Sequence, residues 1–414
     1  MKKFAICTII LFAAAFCAAQ QLDQQPAHEK GGSISKCQID LSQTVSSWRV
    51  DFRSCDLSKQ DLNELDQETV MSYLTFDDTT IWPKGKKLPK WLKPLEIMRL
   101  GKTPGLNIKE LHARGITGKG IGIAIIDGAL PKHAEYQDRL LFYKHYDNPE
   151  SLMHGAAVAS IAAGKTVGVA PGAYLYYFSA NVANYIDVIY EILELNKTLA
   201  ADKKIAVISI SYGGMDEEAR AKVIKEAELQ NIVIFDTTNT PYILSRDNYM
   251  ADIDDIASYN LWPYWWTPEE AAWGYAEVLC VPAGFRILAS PTGYENYVAY
   301  GGSGSMSWAV PYYAGLYALA KQVYPALDKE TFDQAARGTA HNKKIKDEKT
   351  GAEIEVKYFI NPVGLIQYLQ NKSSGGKAPS KSEGDKKKKA SIKGEQPSEQ
   401  ILGSVLQIRG EWSF

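Results

Sequence analysis

Gly120-Ile121-Gly122-Ile123-Ala124-Ile125-Ile126-Asp127-Gly128 is the stretch on which the fold turns. Its apolar run is continuous rather than alternating, so both faces of the strand must be covered, as in a parallel sheet flanked by helices. Two runs of the same kind follow, Ile205-Ala-Val-Ile-Ser-Ile210 and Ile232-Val-Ile-Phe235. Between and after them lie helical stretches, among them the Ala-rich His154 to Ala163 and residues Trp308 to Val323, where Ala309, Tyr313, Leu316, Ala320 and Val323 recur at helical spacing. This alternation predicts an α/β fold, a three-layer sandwich around a mainly parallel central sheet. In such sheets functional residues gather at the carboxyl ends of the strands. Asp127, Ser211 and the segment Asp236 to Asn239 each follow one of the three strands, so all fall on one edge.

The ends of the chain are set apart by composition. Residues 1–19 open Met1-Lys2-Lys3, run through apolar Phe4 to Ala15 and reach the small residues Cys17-Ala18-Ala19, the pattern of a cleaved secretory signal. The run is short for a membrane span, and Phe16 before Cys17 fits a lipoprotein site poorly. A secreted, periplasmic or envelope location is therefore expected, with no integral membrane segment once the signal is removed. Residues 20–95, with Asp51 to Leu62 and the Pro- and Lys-rich Trp82 to Pro94, read as an extension: a propeptide, an accessory layer or both. The main domain is assigned to 96–371. Residues 372–400 hold eight Lys, four acids and three apolar residues, a flexible basic linker, and alternation returns in the tail 401–414.

The 414-residue chain carries a net charge of −2, but with signal and linker removed 36 basic and 44 acidic residues remain, a net −8. Nucleic acid is thus not expected as a partner, and a monomer is expected. Cys37, Cys55 and Cys280 remain, an odd number without metal-type spacing. Cys37 and Cys55 either pair or stay free, and Cys280, inside Val278-Leu-Cys-Val281, reads as a buried strand residue.

Four residues stand in an order that acyl transfer can use: Asp127, His154, Asn239 and Ser307. A carboxylate at a strand end can accept the Nδ1 proton of an imidazole, fixing its tautomer and stabilising its cation. His154-Gly-Ala-Ala-Val-Ala starts a small-residue helix, where its ring can face Asp127 on one side and a nucleophile on the other. His133, six residues past Asp127, is a candidate supporting partner. Ser307, at the head of the last long helix, faces the positive helix terminus. Pro311 is expected only near that helix start. Taken singly, an Asp-Gly turn, a structural histidine and an N-capping serine would each be ordinary. Gly118-Lys-Gly-Ile-Gly122 precedes its strand instead of following it, which argues against a nucleotide-binding loop.

Taken together, residues 100–325 resemble the subtilisin-like serine proteases, the subtilases. The resemblance rests on Ala124-Ile-Ile-Asp127-Gly, His154-Gly-Ala-Ala-Val-Ala, Gly168-Val-Ala-Pro-Gly-Ala-Tyr-Leu175, Ser209-Ile-Ser211-Tyr-Gly-Gly214, Ile232-Val-Ile-Phe-Asp-Thr-Thr-Asn239 and Ser305 to Gly315. It implies a subtilisin-like fold with Ser307 as nucleophile, His154 as general base and acid, and Asp127 as its orienter. It also implies the Asn239 amide as oxyanion donor, with Ser211, Tyr212, Gly213, Gly214, Asp236, Thr237 and Thr238 walling the substrate cleft. No cofactor is implied, and the short stretch from His154 to Gly168, without an Asn- or Asp-rich loop, leaves no metal expected.

The sequence departs from the family in several places. Ser305-Met306 replace the usual Gly-Thr, making Ser305 a rival nucleophile at the wrong distance from Pro311. Thr238 replaces a glycine, Asp236 and Thr237 replace small apolar residues, and Ala157 replaces a histidine outside the proton relay. A more polar wall follows, with Asp236 as a candidate acceptor for a basic substrate residue. The aromatic insertion Trp262 to Trp273 reads as core, lid or rim. An exported serine endopeptidase is the expected function, and a catalytically silent subtilase fold serving peptide binding or regulation is the alternative.

Overall fold

Alternate residues of the strand Gly122–Asp127 enter two different cores. Ile123 and Ile125 belong to one, Ala124 and Ile126 to another, the period-two outcome of a strand buried on both faces. The computed structural model describes residues 25–26, 50–146, 152–238, 241–261, 277–301, 306–346 and 351–375. The signal stretch 1–19, Asn239, the insertion 262–273, Ser305 and the tail 401–414 lie outside the described residues, as does the linker beyond residue 375.

The described chain begins with β1 (Val50–Asp51), α1 (Gln67–Tyr73), β2 (Leu74–Asp77), α2 (Pro94–Gly101) and α3 (Ile108–Ala113). Strands and helices then alternate through β3 (Gly122–Asp127), β4 (Leu140–His145), α4 (Leu152–Ala163), β5 (Tyr174–Ser179), α5 (Tyr185–Thr198), β6 (Ile205–Ile210), α6 (Glu217–Glu228) and β7 (Val233–Asp236). Next come β8 (Tyr242–Arg246), β9 (Tyr259–Leu261), β10 (Cys280–Pro282), β11 (Arg286–Ala289) and β12 (Tyr297–Tyr300). The last elements are α7 (Met306–Val323), α8 (Lys329–Thr339), β13 (His341–Lys346), β14 (Glu353–Phe359) and α9 (Pro362–Ser373).

β3 to β7 form a parallel sheet in the order β4-β5-β3-β6-β7. The chain builds leftward from β3 and then returns to its right, so the order reverses between β3 and β6, the place where α/β sheets open a crevice. Residues of α5 and α6 fill the core on one face of this sheet, and α4 and α7 fill the other. α7 is then covered again by a mixed sheet, β13-β14-β10-β8-β9. Every residue from Trp308 to Ala320 is buried as a result, which explains why this helix is apolar on all sides. Cys280 lies buried in β10, and burial pushes its thiol far above the ordinary range. That second sheet was not legible in advance, because β9 and β10 are three residues each.

The extension is built into the body of the protein. β2 pairs antiparallel with β12, Phe76 opposite Ala299 and Thr75 opposite Tyr300, in a sheet ordered β1-β2-β12-β11. Phe52, Leu57, Leu62, Val70, Leu74 and Phe76 share a core with Phe285, Ile287 and Ala299. Asp77 caps the connection, accepting hydrogen bonds from the Ser54 and Thr79 amides, each at 3.1 Å. Cys55 is disulfide-bonded. Residues 50–101 are thus an accessory layer on the strand that leads to α7.

Phe76 is 1% exposed and meets Trp82 edge-on with ring centroids 5.2 Å apart. Phe76→Ala is predicted to cost about 3–5 kcal/mol. In a denaturant melt the loss should appear as one earlier transition of the whole domain. A separate early transition of the extension alone would show that the layer folds independently.

Candidate active site

Asp127 ends β3 at the crevice and is 4% exposed. One carboxylate oxygen accepts the Gly128 amide at 2.8 Å and meets His154 Nδ1 at 2.6 Å. His154 is the third residue of α4, its side chain 28% exposed. Donation from Nδ1 to the Asp127 carboxylate fixes the tautomer and the orientation of the ring. The glycine after it lets α4 settle on the turn after β3, for a Cβ at Gly155 would overlap the Ala129 carbonyl oxygen and lie 2.6 Å from the Tyr177 hydroxyl. Tyr177 donates to the Gly128 carbonyl at 2.8 Å and fixes the same turn.

Ser307 is the second residue of α7. The Ser211 hydroxyl donates to the Ser307 carbonyl at 2.7 Å, and the Ser307 hydroxyl donates to the Ser211 carbonyl at 3.4 Å. Ser211 follows β6 directly, so this pair pins the start of α7 to the carboxyl edge of the sheet. At its other end, Gln322 accepts the Thr117 and Gly118 amides at 2.9 and 2.7 Å, ahead of the first residue of β3. α4 runs the same way, from His154 beside the end of β3 to Ala163, whose carbonyl accepts from Arg139 ahead of β4. The two helices are therefore parallel. They touch where a Cβ at Gly315 would lie 2.9 Å from the Ala162 carbonyl. Gly315 and Ala162 are each eight residues beyond Ser307 and His154, so the contact sets both residues at the same height on adjacent helix starts.

The segments expected to wall the cleft also meet. The Thr237 amide donates to the Tyr212 carbonyl at 3.3 Å, and a Cβ at Gly213 would lie 2.5 Å from the Thr237 hydroxyl and 3.1 Å from that of Thr238. Gly214, at φ +83°, takes a left-handed conformation that suits glycine. Tyr212 packs edge-on against Tyr185 at 5.8 Å.

Three expectations are corrected. Asp236 is fully buried and faces Arg220 of α6, with Arg220 Nε to Oδ2 at 2.6 Å and Nη2 to Oδ1 at 3.1 Å. Its carboxylate also accepts the Thr238 amide at 2.9 Å. The carboxylate is neutralised on the α6 side, so it is not an open acceptor for a basic substrate residue. His133 supports no proton relay: Nδ1 accepts the Glu135 amide at 3.1 Å, which leaves Nε2 to donate to the Asn296 carbonyl at 2.7 Å. Pro311 is the sixth residue of α7, inside the helix rather than at its first turn. Arg220 was invisible to sequence reasoning because nothing around Glu217-Glu-Ala-Arg220 marks it as the partner of a strand-end aspartate.

Residues 118–262 match the Subtilase family. Over that segment the chain is subtilase-like in sequence. No curated protein matches the sequence. Among solved structures, the chain is similar to the prenylagaramide maturation protease PagA, at 16% identity and TM-score 0.45 over 64% of this chain and 98% of that one. It is also similar to the PatG macrocyclase domain, at 17% identity and TM-score 0.45 over 63% and 95%. A third likeness is to MycP1, a serine protease and component of the type VII secretion system, at 19% identity and TM-score 0.42 over 64% and 87%. No helix among the described residues is long and apolar enough to cross a membrane.

Breaking the Arg220–Asp236 pair strands a buried carboxylate. Arg220→Met is predicted to cost about 3–5 kcal/mol in a urea melt. A loss below about 1 kcal/mol would place the pair among solvated surface bridges.

Proposed function

We propose that the chain is an exported serine endopeptidase that cleaves peptide bonds through an acyl-enzyme. The observation that carries this reading is the 2.6 Å contact between Asp127 and His154 Nδ1 beside the helix start that holds Ser307. A carboxylate so placed selects the tautomer in which Nε2 is basic, and it stabilises the imidazolium formed when the serine proton is taken. In the proposed cycle the Ser307 hydroxyl attacks the scissile carbonyl as His154 Nε2 takes its proton. His154 then returns that proton to the departing amine, and water repeats the sequence to release the acid.

The backbone N–H of Ser307, at the N-terminus of α7, is one donor for the developing oxyanion, and by family resemblance the Asn239 amide is the other. The peptide is bound as an added strand along Ser211 to Gly214, with Thr237 and Thr238 forming a neutral polar wall. Because Asp236 is matched by Arg220, this cleft has no preference for basic residues from that carboxylate. The segment Met1 to Ala19 supports export, with substrates met outside the cytoplasm.

A fluorophosphonate probe tests the reading against a catalytically silent fold. The wild-type chain is predicted to label, Ser305→Ala to label equally, and Ser307→Ala not to label. Asp127→Asn should lower turnover of a peptide substrate about 10⁴-fold with the fold intact by circular dichroism. A folded wild-type chain that does not label would favour the silent fold, and labelling that survives in Ser307→Ala would move the nucleophile elsewhere.

A further inference from the structure

In an α-helix each carbonyl accepts from the amide four residues on. Residue 311 is proline, which has no amide hydrogen and whose ring crowds the carbonyl four residues back. That carbonyl belongs to Ser307. α7 thus opens with a defect at the residue assigned as nucleophile, and the Ser211 hydroxyl fills it by donating to the Ser307 carbonyl at 2.7 Å.

We propose that the Ser211 side chain is a positioning residue for Ser307, supplying the hydrogen bond that Pro311 denies the helix and so fixing where the nucleophile stands. The inference rests on the reading of Ser307 as nucleophile, and it changes the role of Ser211 from a substrate-binding residue to one that acts through another side chain. Two bonds tie the residues. The strong one holds the Ser307 backbone. The other, from the Ser307 hydroxyl to the Ser211 carbonyl, is 3.4 Å long, well beyond the usual length for a hydroxyl donor. The backbone is therefore held while the hydroxyl stays free to turn toward an acceptor imidazole. A helix with a normal residue at 311 would hold the carbonyl along its own axis. With proline there, the carbonyl tilts toward β6 and links the helix start to the strand that binds the peptide.

The test is a double-mutant cycle on a peptide ester substrate, with fluorophosphonate labelling and urea melts run on the same variants. Ser211→Ala is predicted to lower kcat about 10- to 100-fold, the worth of one hydrogen bond to a reacting residue, with KM within about twofold. Ser211→Thr, which keeps the hydroxyl, should retain most of the activity. Pro311→Ala restores an amide donor to the Ser307 carbonyl, so in that background Ser211→Ala should cost far less in both kcat and urea midpoint. Three results would overturn the proposal: full activity in Ser211→Ala, a loss that falls on KM, or an equal loss with and without Pro311. If the wild-type chain fails to label, the nucleophile reading falls and the catalytic role of Ser211 with it. The urea cycle still reports the hydrogen bond in that case, so the two failures are distinguishable.

Discussion

Asp127 and Ser307 are 180 residues apart, and what brings them to one place is the close parallel contact of two helices buried in the centre of the protein. α4 and α7 both start at the carboxyl edge of the central sheet and meet at Ala162 and Gly315. The contact demands small residues, because a side chain at Gly315 would meet both the Ala162 carbonyl and Val169. This explains the run Gly155-Ala-Ala-Val-Ala-Ser-Ile-Ala-Ala163, whose members are all buried. Low side-chain volume here sets a distance between backbones, and with it the height of His154 relative to Ser307.

The rest of the fold serves to keep α7 in register. It is gripped between the parallel sheet and the mixed sheet that follows. At its head it is tied to β6 through Ser211, and at its tail to the loop before β3 through Gln322. The strand approaching it, β12, is braced by β2 of the accessory layer. Gly301, at the end of that strand, lies so close to the Leu74 backbone that a Cβ there would overlap it. The N-terminal layer is thus part of the support for the chain that leads into α7.

Much of this was legible from residue pattern. The continuous apolar runs placed β3, β6 and β7 to within a residue, since burial on both faces leaves no polar position to blur them. Asp127 and His154 were legible because a carboxylate after such a strand and a histidine before a small-residue helix occupy ends of elements, where the chain direction is known. The pairing of Asp236 is not legible for a physical reason: the charge that neutralises it comes from a helix face sixteen residues earlier, and pairing across elements leaves no local trace. Pro311 reads as a helix-start residue because its missing amide is costly within a helix. The hydroxyl that offsets the cost comes from Ser211, 96 residues upstream. Strands as short as β1, β9 and β10 have too few residues to show a period, so two of the three sheets could not be foreseen.

In the proposed cycle the parallel helices deliver one imidazole and one hydroxyl to the same reacting atom. A crystal structure of the phosphonylated chain tests it most directly. The phosphorus should be bonded to Ser307 Oγ, with His154 Nε2 within hydrogen-bond reach of the adduct and Nδ1 still on Asp127. An adduct on another residue, or an imidazole that no rotamer brings to the phosphonyl group, would contradict it.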